Sequence, residues 1–194
     1  MNLPSGQFEI GPQNGRLAVH THRQGLGARA GHDLLLEATA WKGTLEVEPA
    51  EGPRGRLDVR VDARSLEVRE GTGGVKPLSE KDRRDIKGNL EEKVLRAGPH
   101  PEIRFQSDAV ESFSEAGDSA TATLQGTLEM NGRSQPATLE VTLAPAGGGL
   151  LVRGRATVQQ TLWDIKPYTA LLGALRVADE VEVTFDLEVP ARTG

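Results

Sequence analysis

Cysteine is absent from this chain of 194 residues. That excludes a disulfide frame, a thiolate metal site and a cysteine nucleophile. Aromatic residues make up only 4% of the sequence, so large fillers for an interior are scarce. A surplus of positive charge is missing too: 23 basic residues face 28 acidic ones, a net charge of −5. Nucleic-acid binders carry a basic surplus or stripe, and neither is present. No apolar run approaches the length needed to span a membrane as a helix, so no integral membrane segment is expected. The start, "MNLPSGQFEIGPQNG", lacks the charged-then-apolar pattern of a secretory signal, and a cytoplasmic location is expected, or a periplasmic one if a signal has been removed. The length suits one domain over residues 1–194 with a real core.

What is abundant is alternation. "GRLDVRVDA" sets Leu57, Val59, Val61 and Ala63 against Asp58, Arg60 and Asp62. "TATLQGTLEM" sets Ala122, Leu124, Leu128 and Met130 against threonines, Gln125 and Glu129. "ATLEVTLA" and "LLVRGRATVQ" repeat the pattern, the latter with Val152, Ala156 and Val158 opposite Arg153, Arg155 and Thr157. The last run is the cleanest, with Val181, Val183, Phe185, Leu187 and Val189 on one parity. Period-two alternation is the mark of a strand with one dry face, and its repetition predicts an antiparallel sheet around a shared interior. Further strands are expected at "RLAVHTHR" and "EIRFQSDAVESF". Asn131-Gly132 predicts a type I′ hairpin turn between the strands ending near Met130 and beginning near Ala137. In "HDLLLEATAWKGTLEVE" the apolar parity switches between Ala40 and Trp41, which predicts a bend there.

One helix is expected in "LSEKDRRDIKGNLEEKVLRAGPHP", with Ser79 and Asp82 as a capping box and Ile86, Leu90, Val94 and Leu95 as its apolar stripe. Gly88-Asn89 should weaken its middle, and Glu80 and Arg84 are spaced to pair. Its charge run from Lys81 to Lys87 reads as a solvated face. Because the inner faces carry no charges or prolines, closure into a barrel is favoured over an open sandwich. The fold class expected is therefore all-β: a closed antiparallel barrel of about eight strands with one helix and a short helical flap. The inward parity includes Ala38, Ala40, Ala63, Ala122, Gly126, Ala137, Gly154 and Ala156, with Phe105 and Phe185 as its only clear aromatics. Such sparse furnishing predicts a hollow tube that an apolar ligand fills, since an empty one forfeits dispersion contacts. A collapsed barrel with ordinary alanine packing is the competing arrangement.

The order of these parts resembles a known family. "FEI", then "GHD" leading to "WKGTLEVE" and "LDVRVDARSLEV", match the opening of YceI-like proteins. The charged helix ahead of "HPEIRFQS", then "LQGTLEMNGRSQPATLEVTL" and "WDIKP…LRVADEVEVTFDLEV", match the remainder. The resemblance implies a lipocalin-like antiparallel barrel that binds polyisoprenoid lipids or isoprenoid quinones without catalysis. On that implication, non-enzymatic carriage of such a lipid is expected, with no cofactor. The lipid would lie along Leu34, Leu36, Ala38, Val59, Phe105, Leu124, Leu128, Val158, Val183 and Phe185. The apolar stretch "TLWDIKPYTALLGALRVADE" adds Trp163, Tyr168, Leu171, Leu172 and Leu175 as a flap at a portal or as a plug sealing the end. Pro167 is placed to start a helical turn there and Gly173 to end it.

The histidines carry the enzyme alternative. His20 and His22 share a strand face and His32 begins the next strand, so three imidazoles could meet and hold zinc in a hydrolase. No carboxylate stands at a recognised spacing with them, and no GxSxG elbow exists. His32 and Asp33 are neighbours on a strand and point to opposite faces, so they do not form a catalytic couple. No metal ligand and no catalytic residue is assigned. In "RQGLGARAGHD" the cations Arg23 and Arg29, with His32, are candidates for contact with a pyrophosphate or quinone head group; a plain surface loop is the other reading. A partner-binding β module would require an exposed apolar patch. Alternating Arg and Glu on the wet faces suit a homodimer or a monomer equally.

Overall fold

The computed structural model describes residues 5–50, 52–147 and 149–190. Eleven strands form one antiparallel sheet: β1 (Gly6–Ile10), β2 (Gly15–Thr21), β4 (His32–Ala38), β5 (Trp41–Ala50), β6 (Gly52–Asp62), β7 (Leu66–Gly73), β8 (Glu102–Ala116), β9 (Ser119–Met130), β10 (Arg133–Ala146), β11 (Gly149–Gln159) and β14 (Glu180–Val189). Their spatial order is β1-β5-β6-β8-β9-β10-β11-β14-β2-β4-β7. A second sheet of three short strands joins β12 (Thr169–Ala170), β13 (Leu175–Val177) and β3 (Arg23–Gln24). The helix α1 spans Glu80–Asn89.

Each expected strand is present, and the dry parity faces one core. Phe8 and Ile10 of edge strand β1 share that core with Leu66 and Val68 of the opposite edge strand β7, so the sheet curls on itself. It does not close: β1 and β7 are not paired, and the result is a curled half-barrel rather than the closed barrel of about eight strands expected. Two bends account for the extra strands. The chain kinks at Thr39–Ala40 between β4 and β5, and again in a 3₁₀ turn at Ala63–Ser65 between β6 and β7. One long hairpin thus contributes four strands, with its register held across the bend. The Thr39 amide donates to the Ser65 carbonyl and the Asp62 amide to the Ala40 carbonyl, both at 3.0 Å. The Ser65 hydroxyl adds a bond to the Ala40 carbonyl at 3.2 Å.

Clean inner faces did not require closure because the open edge is protected in another way. α1 lies along β7, and Arg83 donates from Nη1 to the carbonyls of Val68 and Arg69 at 2.8 and 2.9 Å. Lys87 donates to the Arg64 carbonyl at 3.1 Å and pairs with Glu67. These cations satisfy edge groups that would otherwise template another strand. The charge run read as a solvated face is in part an edge cap.

The local signals around α1 hold. Ser79 and Asp82 form the capping box: the Ser79 amide donates to Asp82 Oδ2 at 2.9 Å and the Asp82 amide to Ser79 Oγ at 3.2 Å. The helix loses its α-helical pattern after Gly88-Asn89 and continues as a π-helical turn over Leu90–Val94. The expected Glu80–Arg84 pair does not form. Glu80 lies 3.9 Å from Arg83, and Lys81 pairs with Asp85 instead. Asn131 (φ 53°) and Gly132 (φ 73°) both take positive φ, the geometry a type I′ turn demands.

Candidate functional site

The site is assembled by the three-stranded sheet at one end of the half-barrel. β13 pairs with β3, placing Arg176 opposite Gln24 and Val177 opposite Arg23. The Ala178 amide donates to the His22 carbonyl at 2.7 Å and the Gly27 amide to the Ala174 carbonyl at 2.9 Å. The apolar segment is therefore folded back over the strand ends. Pro167 starts no helix; the helical parts are 3₁₀ turns at Gln160–Trp163 and Leu171–Gly173.

Trp163 seals the base of this segment. It is 2% exposed, and its indole Nε1 donates to the Leu128 carbonyl at 2.9 Å. Asn131 Nδ2 donates to the Trp163 carbonyl at 2.9 Å, and Arg96 Nε donates to Asn131 Oδ1 at 2.8 Å. Asp179 anchors the same turn, accepting from the Thr161 amide at 2.9 Å and the Thr161 hydroxyl at 2.6 Å. Burial pushes the Asp179 carboxyl up, but these bonds and one from Gln159 outweigh it and hold the group below the usual range.

The folded-back segment borders a cavity of about 590 Å³. Its floor is Thr21, Leu34 and Leu36 of β2 and β4. One wall is the folded-back segment, with Tyr168, Leu175, Arg176 and Val177. The other is the loop of Val75 to Leu78 and the helical face carrying Asp82, Asp85, Ile86, Asn89, Leu90 and Val94. Arg23, Ala30, Gly31 and His32 complete the mouth, and Gln160 lies among the lining residues. Val75 is 84% exposed as well as on the wall, so the cavity reaches the surface there. Gly31 lets Leu175 pack close at this rim: a methyl group in its place would stand 2.6 Å from Leu175 Cδ1 and push that side chain aside.

Polar groups gather at the mouth. Arg23 Nη1 donates to the carbonyls of Gly31 and Thr72 at 2.8 and 3.2 Å, while its amide donates to Asp33 Oδ1 at 2.8 Å. His32 Nε2 contacts the Lys76 carbonyl at 2.8 Å. Lys76 Nζ lies 3.9 Å from Asp82, whose carboxyl is held below its usual range by the Ser79 hydroxyl and amide. Thr21 Oγ1 is buried without a hydrogen-bond partner in the protein, and a buried unpaired hydroxyl is costly unless a bound group satisfies it.

The lumen itself is not one tunnel. A second cavity, of about 100 Å³, is lined by Leu45, Val47, Leu57, Phe113, Leu124, Leu143, Val152, Phe185 and other residues at the far end. The two cavities share no lining residue. Between them on β11 lie Ala156 and Val158, and on β14 Val181 and Val183, which line neither. Two of the small residues that predicted a hollow tube, Gly126 and Gly154, are covered by the two aromatics. A methyl group at Gly126 would stand 2.6 Å from Phe105 Cζ, and one at Gly154 2.1 Å from Phe185 Cζ. Counting side chains along one parity omits the reach of a ring across to its neighbouring strand.

The structure brings Leu34, Leu36, Tyr168, Leu175, Arg23 and His32 together around the large cavity. Leu124 and Phe185 line the small one. Ala38, Val59, Phe105, Leu128, Val158, Trp163 and Val183 belong to the packed core and line neither of these two cavities. Leu171, Leu172 and Arg29 are exposed and also line neither. Sequence reasoning missed the contribution of α1. Its stripe of Ile86, Leu90 and Val94 was legible, but not that the stripe faces a cavity.

The histidines do not converge. His20 Nε2 contacts Thr184 Oγ1 at 3.0 Å, His22 Nδ1 lies 4.0 Å from Asp33, and His32 is tied to Lys76. Among the described residues, no three His, Cys, Asp or Glu side chains gather in a way that holds a metal ion. No helix among them is long and apolar enough to cross a membrane.

Comparison with known proteins follows this geometry. The crystal structure of BcnA from Burkholderia cenocepacia superposes with a TM-score of 0.65 at 16% identity, covering 90% of this chain and 96% of that one. A polyisoprenoid binding domain from Saccharophagus degradans, implicated in plant cell wall breakdown, superposes with a TM-score of 0.62 at 9% identity, covering 97% and 99%. The YCEI protein of Campylobacter jejuni gives 0.54 at 11% identity, covering 79% and 82%. No curated protein matches the chain. The family model for the YceI-like domain matches residues 10–189, and the chain belongs to that family.

Proposed function

We propose that this protein, acting as one domain over its 194 residues, binds and carries a long isoprenoid-type lipid, a polyprenyl chain or an isoprenoid quinone, and does no chemistry on it. The observation that carries this reading is the cavity of about 590 Å³, whose size falls in the range of about 300–1,000 Å³ typical of ligand pockets. Leu34, Leu36, Ile86, Leu90, Val94, Tyr168 and Leu175 offer an apolar channel to a branched chain. Arg23 and His32 meet a polar head at the mouth, Arg29 approaches it from the outside, and the unpaired Thr21 hydroxyl on the floor offers a bond to a polar group of the ligand that reaches it. The similarity to a polyisoprenoid binding domain supports the class of ligand.

In this reading the ligand sits between the sheet, α1 and the folded-back segment rather than along the whole lumen. A longer chain reaches the second chamber only by displacing core side chains between the two cavities, among them Val158 and Val183. The test is organic extraction of freshly purified protein followed by mass spectrometry. Recovery of a prenyl-chain species near one per protein is expected. Protein that comes clean from its host, and then fails to take up a polyprenyl phosphate or a quinone from detergent, overturns the reading.

A further inference from the structure

Five large apolar side chains are exposed among the described residues: Leu26, Val75, Leu162, Leu171 and Leu172. Scattered singly, such residues mean little. Here four of the five stand on the three segments that rim the large cavity, 23–31, 73–78 and 165–177. These segments are tied to one another. Arg23 bonds to Gly31 and Thr72, His32 bonds to Lys76, and Gly27 bonds to Ala174. Leu26 is 103% exposed and Leu172 110%, so both project fully into solvent.

Charge is distributed on the same pattern. The whole chain carries a net −5, yet the three rim segments hold Arg23, Arg29, Lys76, Lys166 and Arg176 and not one carboxylate. Acids on the cavity wall and next to these segments have partners of their own: Asp33 binds the Arg23 amide, Asp82 binds Ser79 and Lys76, Asp85 pairs with Lys81, Asp164 with Arg133, and Asp179 binds Thr161. Arg29, Lys166 and Arg176 have no ion-pair partner among the described residues.

The backbone adds a third observation. Leu171 (φ 52°), Leu172 (φ 55°) and Gly173 (φ 89°) take three consecutive left-handed conformations. Such a conformation brings the Cβ of a residue with a side chain too close to the following carbonyl oxygen. Glycine or asparagine would suit the turn better, and folding gains little from leucines turned into water. Strain of this kind persists where a function uses it.

We propose that the cavity mouth docks on an anionic lipid bilayer, with Leu26, Leu171, Leu172 and Val75 entering the interface and the rim cations meeting the lipid phosphates. The inference rests on the carriage reading for its purpose, because a cargo insoluble in water must enter and leave at a membrane. It does not rest on that reading for its test. Apolar projections beside unpaired cations, with no carboxylate among them, are the chemistry an anionic interface rewards.

Co-flotation with vesicles tests it, using phosphatidylcholine alone and an equal mixture of phosphatidylcholine and phosphatidylglycerol. The protein should float with the mixed vesicles, fall away as salt rises, and bind the neutral vesicles weakly. The double variant Leu26→Ser, Leu172→Asn should bind at least about tenfold more weakly with a melting temperature that does not fall, since both side chains are exposed and asparagine suits the left-handed turn. Failure of the native protein to float overturns docking even if extraction recovers a prenyl lipid, so the two readings fail separately. Equal binding to both vesicle types, or full binding by the double variant, also overturns it. Concentration-dependent self-association that the double variant abolishes would make the patch a dimer interface and overturn the membrane assignment.

Discussion

Phe185 covers Gly154, its direct cross-strand partner, and occupies the space a side chain there would need. The relationship connects sequence to packing: the glycine admits the ring, and the ring fills the space a side chain at position 154 would take beside a chamber walled mainly by leucines and valines. Gly154→Ala places a methyl group 2.1 Å from two ring carbons. The ring must rotate toward the small cavity, and overpacking of this kind costs about 1–3 kcal/mol. Urea unfolding should show that loss, and a variant as stable as the native protein would show that the ring moves freely.

Asn131 is a buried hub. Its side chain joins the Trp163 carbonyl to Arg96, and its φ of 53° suits asparagine. Asn131→Ala leaves a buried carbonyl unpaired and strains the turn, for an expected loss of about 2–3 kcal/mol. Asn131→Gly relieves the strain but not the lost bonds. It should fall between the two in thermal unfolding; equal stability of the Gly variant and the native protein would remove the hub.

Acid should weaken the sheet through Asp58. The Arg104 guanidinium donates to it from Nε at 3.0 Å and from Nη2, and Arg60 lies near, so the carboxyl is held below the ordinary aspartate range. A carboxyl whose pKa is depressed by folding contributes stability that is fully present above its unfolded value, about 3.9. That contribution disappears as pH falls through the folded value. Asp58→Asn should therefore be less stable at neutral pH and show a shallower loss of stability below about pH 4. The pair is partly exposed, so the effect is small, and parallel acid profiles for the two proteins would count against it.

Filling the large chamber should expel its ligand. Leu34 lies on the floor of the cavity, opposite Thr21 across the β2–β4 ladder. Leu34→Trp puts an indole on the cavity floor, where a chain would lie, and lipid recovered by extraction should fall. Circular dichroism confirms the fold, and undiminished lipid in a folded variant would move the ligand to another part of the protein.

The sequence specified much through short-range physics. Alternation of Val181 to Val189 with acidic residues and threonine defines a strand whatever its neighbours are. Asn131-Gly132 defines a tight turn because both residues tolerate positive φ, and Ser79 with Asp82 caps a helix because their side chains meet the first free amides. The parity switch before Trp41 located the bend within a residue or two. Leu34 and Leu36 were legible as candidates from their strand parity, and Tyr168, Leu175, Arg23 and His32 because apolar and cationic segments flank strand ends.

What the tertiary structure decided lies in contacts between distant segments. Whether the sheet closes depends on what covers its last edge, and the Arg83 and Lys87 side chains do so from a helix whose charges looked merely wet. Whether the lumen is hollow depends on rings reaching across to glycines on the next strand, which no single strand's pattern records. The cavity exists because β13 pairs with β3, about 150 residues away along the chain, and long-range pairing of that kind is paid in loop closure rather than written in local propensity.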